Sequence, residues 1–277
     1  MPTVAERLGY PDDARLLIIH CAELGFCHAA NVAVFESLRD GIGTSASLLV
    51  PAPWAREAAG RYRGEDVGVR IALNAEHDLY RWGPITQAPS LLDGDGGFPR
   101  TATDLWDHAD LDEVRRECRA QVERAVLWGF DVSHLDTHLD ALLLRPEFFD
   151  VYLELAVDFR LPLRMLGPEA EPNVGFPFRQ LAADEGVLFA DRFLSLPTRH
   201  PAEALLELLP TLEPGLTELT LRPSVDTPEL RAITPDWEER VSNHIVLVDD
   251  RGLGGALGDA GVIPLGFHAL RDAMRGA

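Results

Sequence analysis

Short apolar runs alternate with helix-period segments along the whole chain, and this alternation constrains the fold more than any other feature. Strand-like runs lie at Leu16–His20, Ser45–Val50, Val67–Leu73, Val132–Leu135, Leu161–Met165, Val187–Phe189, Leu216–Leu221 and Val262–Leu265. Helical patterns fall between them at about His28–Arg39, Trp54–Arg61, Leu111–Trp128, Pro146–Phe159, Pro201–Leu209, Asp236–Val248 and Gly266–Met274. The clearest is Leu111–Trp128, where Val114, Cys118, Val122 and Val126 recur every four residues among charges. Pro146 and Pro201 open their helices, where the missing N–H costs nothing. Repeated β-then-α units make parallel strands with helical crossovers, because parallel neighbours cannot be joined by a tight turn. The expected class is α/β, a parallel sheet or a TIM-like barrel, forming one domain over residues 1–277. No linker composition divides the chain, and Leu79–Pro99 reads as a long loop, a length usually kept for function.

Charge and cysteine content narrow the partners. With 25 basic and 45 acidic residues the net charge is −20, which argues against nucleic acid and against an anionic membrane. Cys21, Cys27 and Cys118 make no disulfide framework, so a reducing, cytoplasmic setting is expected. The first fifteen residues mix charges of both signs and do not read as a signal peptide. No apolar run reaches membrane-spanning length. The expected partner is a small molecule, with a homodimer the commonest assembly for such a chain.

Chemistry-bearing residues gather at the ends of the strand-like runs, where a barrel opens its ligand crevice. Cys21, Ala22 and Glu23 follow the first run, and Arg70 sits between Val69 and Ile71 in the third. The fourth continues into Ser133-His134-Leu135-Asp136-Thr137-His138-Leu139-Asp140; Arg164 lies in the fifth, and Arg222 follows Leu216–Leu221. A charge at a strand end is also commonly just a solvated one. His134 and His138, four apart with Asp136 between, face one way if the turn is helical, a spacing suited to a divalent ion or to a hydrogen-bonded loop. Within the long loop, Tyr80, Arg81 and Trp82 could stack on a sugar ring or plug the loop against the barrel.

At these residues the chain resembles the YdjC-like carbohydrate deacetylases, a family that includes chito-oligosaccharide and hopanoid-pathway deacetylases. The family's Asn/His-Ala-Asp-Asp-Phe/Leu-Gly stands here as His20-Cys21-Ala22-Glu23-Leu24-Gly25. Its Thr-Ser-x-Ser-Leu-Met-Val is matched by Thr44–Val50, and its Gly-Val-His-Leu-x-Leu by Gly68-Val69-Arg70-Ile71-Ala72-Leu73. Its Thr-His-x-Asp-Ser-His is met by Ser133–His138, and its late His-Pro or His-Ser by Arg222-Pro223. The resemblance implies a distorted (β/α) barrel with a divalent metal such as magnesium or zinc at the C-terminal face, removing N-acetyl groups from sugars.

The departures fall on the chemistry. Ala22 stands where the family has its catalytic base, and Glu23 is one methylene longer than the family's ligand Asp. Arg70 and Arg222 replace histidines, and a guanidinium neither deprotonates nor coordinates a metal. His138 survives unchanged, with His134 and Asp136 beside it. No metal is therefore expected; if one is held, Glu23 and His138 hold it. Arg70 is expected to pair with Glu23, leaving Arg164 or Arg222 for a ligand anion. The favoured reading is a repurposed, metal-independent enzyme acting on a small polar or anionic, sugar-like molecule. Its catalytic candidates are Glu23, His134, Asp136 and His138, with Arg70, Arg164, Arg222 and Trp82 holding substrate. A metal-dependent N-acetyl-sugar deacetylase with an altered ligand set is one alternative, and a non-catalytic binding or regulatory descendant another. Cys21 is a further candidate as an activated thiol, beside the blander reading of a small packed residue.

Overall fold

A computed structural model describes residues 3–196, 201–248 and 252–276. Among the described residues, seven parallel strands curl into an incomplete barrel wrapped by helices. They are β1 (Arg15–Leu24), β2 (Ser45–Leu48), β3 (Val67–Ile71), β4 (Leu135–Thr137), β5 (Arg192–Ser195), β6 (Gly215–Leu221) and β7 (Val262–Pro264). Their order is β4-β3-β2-β1-β6-β5, with β7 laid along the first residues of β1. Beyond β4 the curl continues through single contacts: Leu163 bridges to Leu135, and the Leu163 N–H donates to the Leu188 carbonyl.

Two of the expected strands are corrected here. Leu161–Met165 contributes only the Leu163 bridge, and Val187–Phe189 forms no strand; pairing with β6 begins instead at Arg192. The fourth strand starts at Leu135 rather than Val132. β1 runs on to Leu24, past the end of its apolar run, because its inward residues His20 and Ala22 face a polar interior.

Alternation along the strands sorts side chains to two faces. Leu17, Ile19 and Cys21 point outward into the apolar layer shared with the helices, whereas Leu16 and Ile18 point inward. The inward set packs with Leu188, Leu216, Phe267 and Leu270, so the helix Phe267–Arg275 plugs the barrel at the strands' N-terminal ends. The helix Leu111–Leu127 is capped by the Asp110 carboxylate, which accepts from the Asp112 and Glu113 N–H groups at 2.9 and 3.1 Å. Val114, Cys118 and Val122 are buried as expected, but Val126 is 53% exposed and Ala125 takes its place. Steps of four overshoot a turn by about 40° each, so the third step carries Val126 off the buried face. The stretch Leu79–Pro99 is irregular apart from one short turn at Pro89–Leu91.

Candidate active site

Inward-facing positions place the chemistry. On β4 and its flanks His134, Asp136 and His138 share a face by the two-residue strand period, not by a helical turn. Gly68 on β3 admits the His134 ring: a Cβ there would lie 2.5 Å from it. His134 is fully buried and stacks on Phe267 with ring centroids 4.0 Å apart; burial and neighbouring His20 hold its pKa well below the usual range. It is thus a neutral wall of the interior, well below the mouth.

Asp136 is the centre of a buried network. Its Oδ2 accepts from Arg70 Nη1 and from Ser47 Oγ, both at 2.8 Å, and its Oδ1 accepts from Arg164 Nη1 at 2.8 Å. Burial alone would raise its pKa, but Arg164 and Arg70 hold it well below the ordinary carboxylate range. Arg164 also donates to Glu218 and, at 2.7 Å, to Thr220 Oγ1. Asp136 is therefore the anion that lets two guanidiniums sit side by side, and it comes from the chain itself. Arg70 Nε further donates to His138 Nδ1 at 3.4 Å, while His138 Nε2 lies 2.8 Å from Glu76. That arrangement assigns the ring proton to Nε2.

Above this network lies a cleft of about 440 Å³ lined by Glu23, Arg70, Glu76, Asp140, Arg222 and Asn243, among others. An adjoining hollow of about 620 Å³ shares Glu76, Leu139 and Arg222 with it. A register irregularity between Cys21 and Leu24 turns Glu23 into the cleft with φ of 71°. Leu139 and Asp140, each at φ 52°, also line the cleft; with Glu23 they are three of the four described non-glycine residues at positive φ. Backbone strain of this kind gathers where function fixes a side chain.

Glu23 does not pair with Arg70. Its partner is Arg240, on the helix Trp237–Val248, which also bonds Asp236 at 2.8 Å and lies 4.9 Å over the Phe26 ring. Burial would raise the Glu23 pKa, but Arg240, Arg222 and Arg70 bring it down to about 2. Arg222 contacts Asp236 at 3.1 Å and Glu239 at 3.2 Å. Trp82 lies outside the lining of the cleft, 5% exposed, packed against Phe26 and the His138 ring. Tyr80 donates to the Phe26 carbonyl at 2.6 Å, so the long loop seals against the barrel. Cys21 points away from the cleft toward Ser37, and burial pushes its thiol up to about 12, which removes it as an activated nucleophile.

The sequence did not single out Glu76, Glu239 and Asn243 of the cleft, nor Arg240 of the adjoining hollow. Glu76 lies five residues past β3, within reach of the rule that sites follow parallel strands. Arg240, Glu239 and Asn243 belong to a helix that reads only as amphipathic, so nothing local marks them. The donor set does not fit a divalent ion. Both Asp136 oxygens take guanidinium bonds, Glu23 takes Arg240, both His138 nitrogens face partners, and Arg70 stands among them. Among the described residues no three His, Cys, Asp or Glu side chains converge to hold a metal.

Known proteins agree with this architecture. A carbohydrate deacetylase of Thermus thermophilus is 38% identical over 97% of this chain and 98% of its own length. A chitooligosaccharide deacetylase of Yersinia pestis is 28% identical over 54% of this chain and 59% of its own. A solved Enterococcus faecalis structure, named for a proposed cellobiose-phosphate cleavage activity, superposes with a TM-score of 0.80. At 22% identity it covers 93% of this chain and 99% of its own, a likeness of fold. Among the described residues no helix is long and apolar enough to cross a membrane. The model of the YdjC-like protein family matches residues 16–251, and the chain belongs to that family of carbohydrate deacetylases.

Proposed function

We propose that this family member acts on a small, polar, sugar-like molecule in the cleft at the C-terminal mouth, and does so without a metal. One observation carries the reading: Arg70 hangs between Asp136 and His138, and its Nη2 has no hydrogen-bond partner among the described residues at the cleft floor. A guanidinium N–H so placed can receive the charge that develops on an acyl oxygen, the task the family gives its ion. Glu76 lines the same cleft; burial would raise its pKa, but His138 brings it down to about 2, so it is ionised at neutral pH. An ionised carboxylate there can orient an attacking water by accepting its hydrogen bond. Asp136 and His134 act from beneath, by fixing Arg70 and the barrel interior. The setting proposed is cytoplasmic, as a monomer or homodimer.

The test is acetate release from N- and O-acetylated sugars by chelator-treated protein. Turnover that survives chelation and falls by about 100-fold or more in Arg70→Met is the expected result. Turnover only on adding zinc would favour the metal-dependent deacetylase. Sugar binding with no turnover would favour a non-catalytic descendant.

A further inference from the structure

A separate hollow lies at the opposite end of the barrel from the cleft. It encloses about 440 Å³ between the helix Val4–Arg7, which precedes β1, and the segment that leads into β5. Its walls are mostly apolar and come from Val4, Val187, Leu188 and Phe189. Val187 and Leu188 are buried. The Phe189 ring lies 4.6 Å from the Arg179 guanidinium, which donates to the Leu166, Ala190 and Asp191 carbonyls at 2.8, 2.9 and 3.1 Å. The apolar surface is therefore preformed. It shares no residue with the cleft or with the hollow beside the cleft.

Two opposite charges border this surface without answering each other. Arg7 lines the hollow, and its guanidinium has no hydrogen bond or ion pair among the described residues. Asp191 lines it as well. Its Oδ2 accepts from the Leu216 N–H at 2.8 Å, which fixes the carboxylate, while its Oδ1 has no partner among the described residues. A cation and an anion held apart on one apolar pocket match a zwitterion with an apolar body. A carboxylic acid without an amine would meet the Asp191 charge unanswered, and an amine without a carboxylate would meet Arg7 in the same way.

We propose that this hollow binds a free α-amino acid with an aliphatic side chain. The carboxylate lies on Arg7, the ammonium on Asp191 Oδ1, and the side chain against Val187, Leu188 and Phe189. Both charged contacts are charge-assisted hydrogen bonds, and the side chain gains by leaving water for a preformed apolar wall. The site is independent of the chemistry at the mouth, so it stands or falls whether or not the cleft turns over a sugar.

The experiment is calorimetric titration of the full-length protein with leucine, alanine, isocaproate and isoamylamine at about pH 6, where an α-carboxyl group is ionised and an α-amino group protonated. Leucine should bind about tenfold more tightly than each of the other three. Arg7→Met and Asp191→Asn should each weaken leucine about tenfold, the asparagine keeping an acceptor for the Leu216 N–H. Ala183→Leu adds bulk to the wall of the same hollow and should abolish binding. All variants are first matched to the parent in melting behaviour, and the exposed Arg7 carries the test should Asp191→Asn not fold. No leucine binding by the parent at about 10 mM, isocaproate binding as tightly as leucine, or an affinity for leucine unchanged in Arg7→Met or in Ala183→Leu would each overturn the proposal. The hollow would then be a packing gap at the foot of the barrel.

Discussion

Arg240 offers the sharpest perturbation, because it is one of the largest buried side chains and joins a helix to the barrel mouth through Glu23. Arg240→Met keeps most of the volume and removes the charge, leaving Glu23 buried at 4% exposure with no direct guanidinium bond. Breaking one side of a buried pair costs about 3–5 kcal/mol. An independent route gives a similar figure. The Glu23 pKa falls from 4.5 to about 2 on folding, a linkage contribution of about 3 kcal/mol at neutral pH. Arg222 and Arg70 still act on Glu23 from a distance, so the lower end of the range is expected. The sign follows from the depressed pKa: this stability is present above the unfolded carboxylate range and is lost as pH falls toward 2. Urea denaturation at pH 7 should therefore show Arg240→Met about 3 kcal/mol less stable, and its stability should decline less steeply than the parent's as pH is lowered below the unfolded value. Adding Glu23→Gln should recover most of the loss, since a neutral amide tolerates the site. A single variant within 1 kcal/mol of the parent, or a double variant no better than the single, would show that the pair does not govern the mouth.

Three further outcomes are expected. Gly68→Ala should cost at least about 2 kcal/mol, read by thermal melting, because its Cβ would lie 2.5 Å from both the His134 ring and the His134 carbonyl oxygen. Titrating zinc should leave the parent's melting temperature unchanged, whereas Ala22→Asp, Glu23→Asp and Arg70→His combined with Arg240→Met should melt higher, by about 2.7 kcal/mol at a hundredfold excess over the dissociation constant. Equal responses would refute the idea that guanidiniums replaced a metal here. Cys21, Cys27 and Cys118 are all buried, and burial pushes the first two thiols up to about 12 and 11 and the third well above the usual range. A thiol reagent at about pH 8 should thus react only after unfolding, and rapid native labelling would contradict the packing.

The fold was legible where burial alone shapes the sequence. β2, β3 and β6 and the helices His28–Arg39 and Pro146–Phe159 present apolar faces to one layer, so periodicity finds them. It fails where strands serve a polar interior. β4 and its flanks carry His134, Asp136 and His138 inward, so the apolar run Val132–Leu135 marks the strand three residues early, and β5 is only half-buried. Residues of the site that end strands, namely Glu23, Arg70, His138 and Arg222, were legible for the same reason that sites follow strands. Their pairings were not, because Arg240 and Glu23 lie 217 residues apart and an amphipathic helix gives no hint that one buried position is a cation.

Those pairings explain how the barrel keeps carboxylates buried where the resemblance implies ligand histidines and this chain has Arg70 and Arg222. Asp136 has no solvent access and Glu23 almost none, so each needs positive charge nearby to remain ionised. In the family a divalent ion is what the resemblance implies at this place; here Arg164 and Arg70 serve Asp136, and Arg240 serves Glu23. Arg70 and Arg240 come from different parts of the chain, β3 and the helix Trp237–Val248, and each relieves a different anion. Reverting Arg70 alone would therefore return a histidine without freeing Glu23, and reverting Glu23 alone would leave Arg70 among the donors. The site can move back toward metal binding only if both guanidiniums go together, which is why Arg240→Met belongs in the restored variant. If zinc raised the melting temperature of the Arg70→His single variant as much as that of the full set, this two-cation account would be wrong.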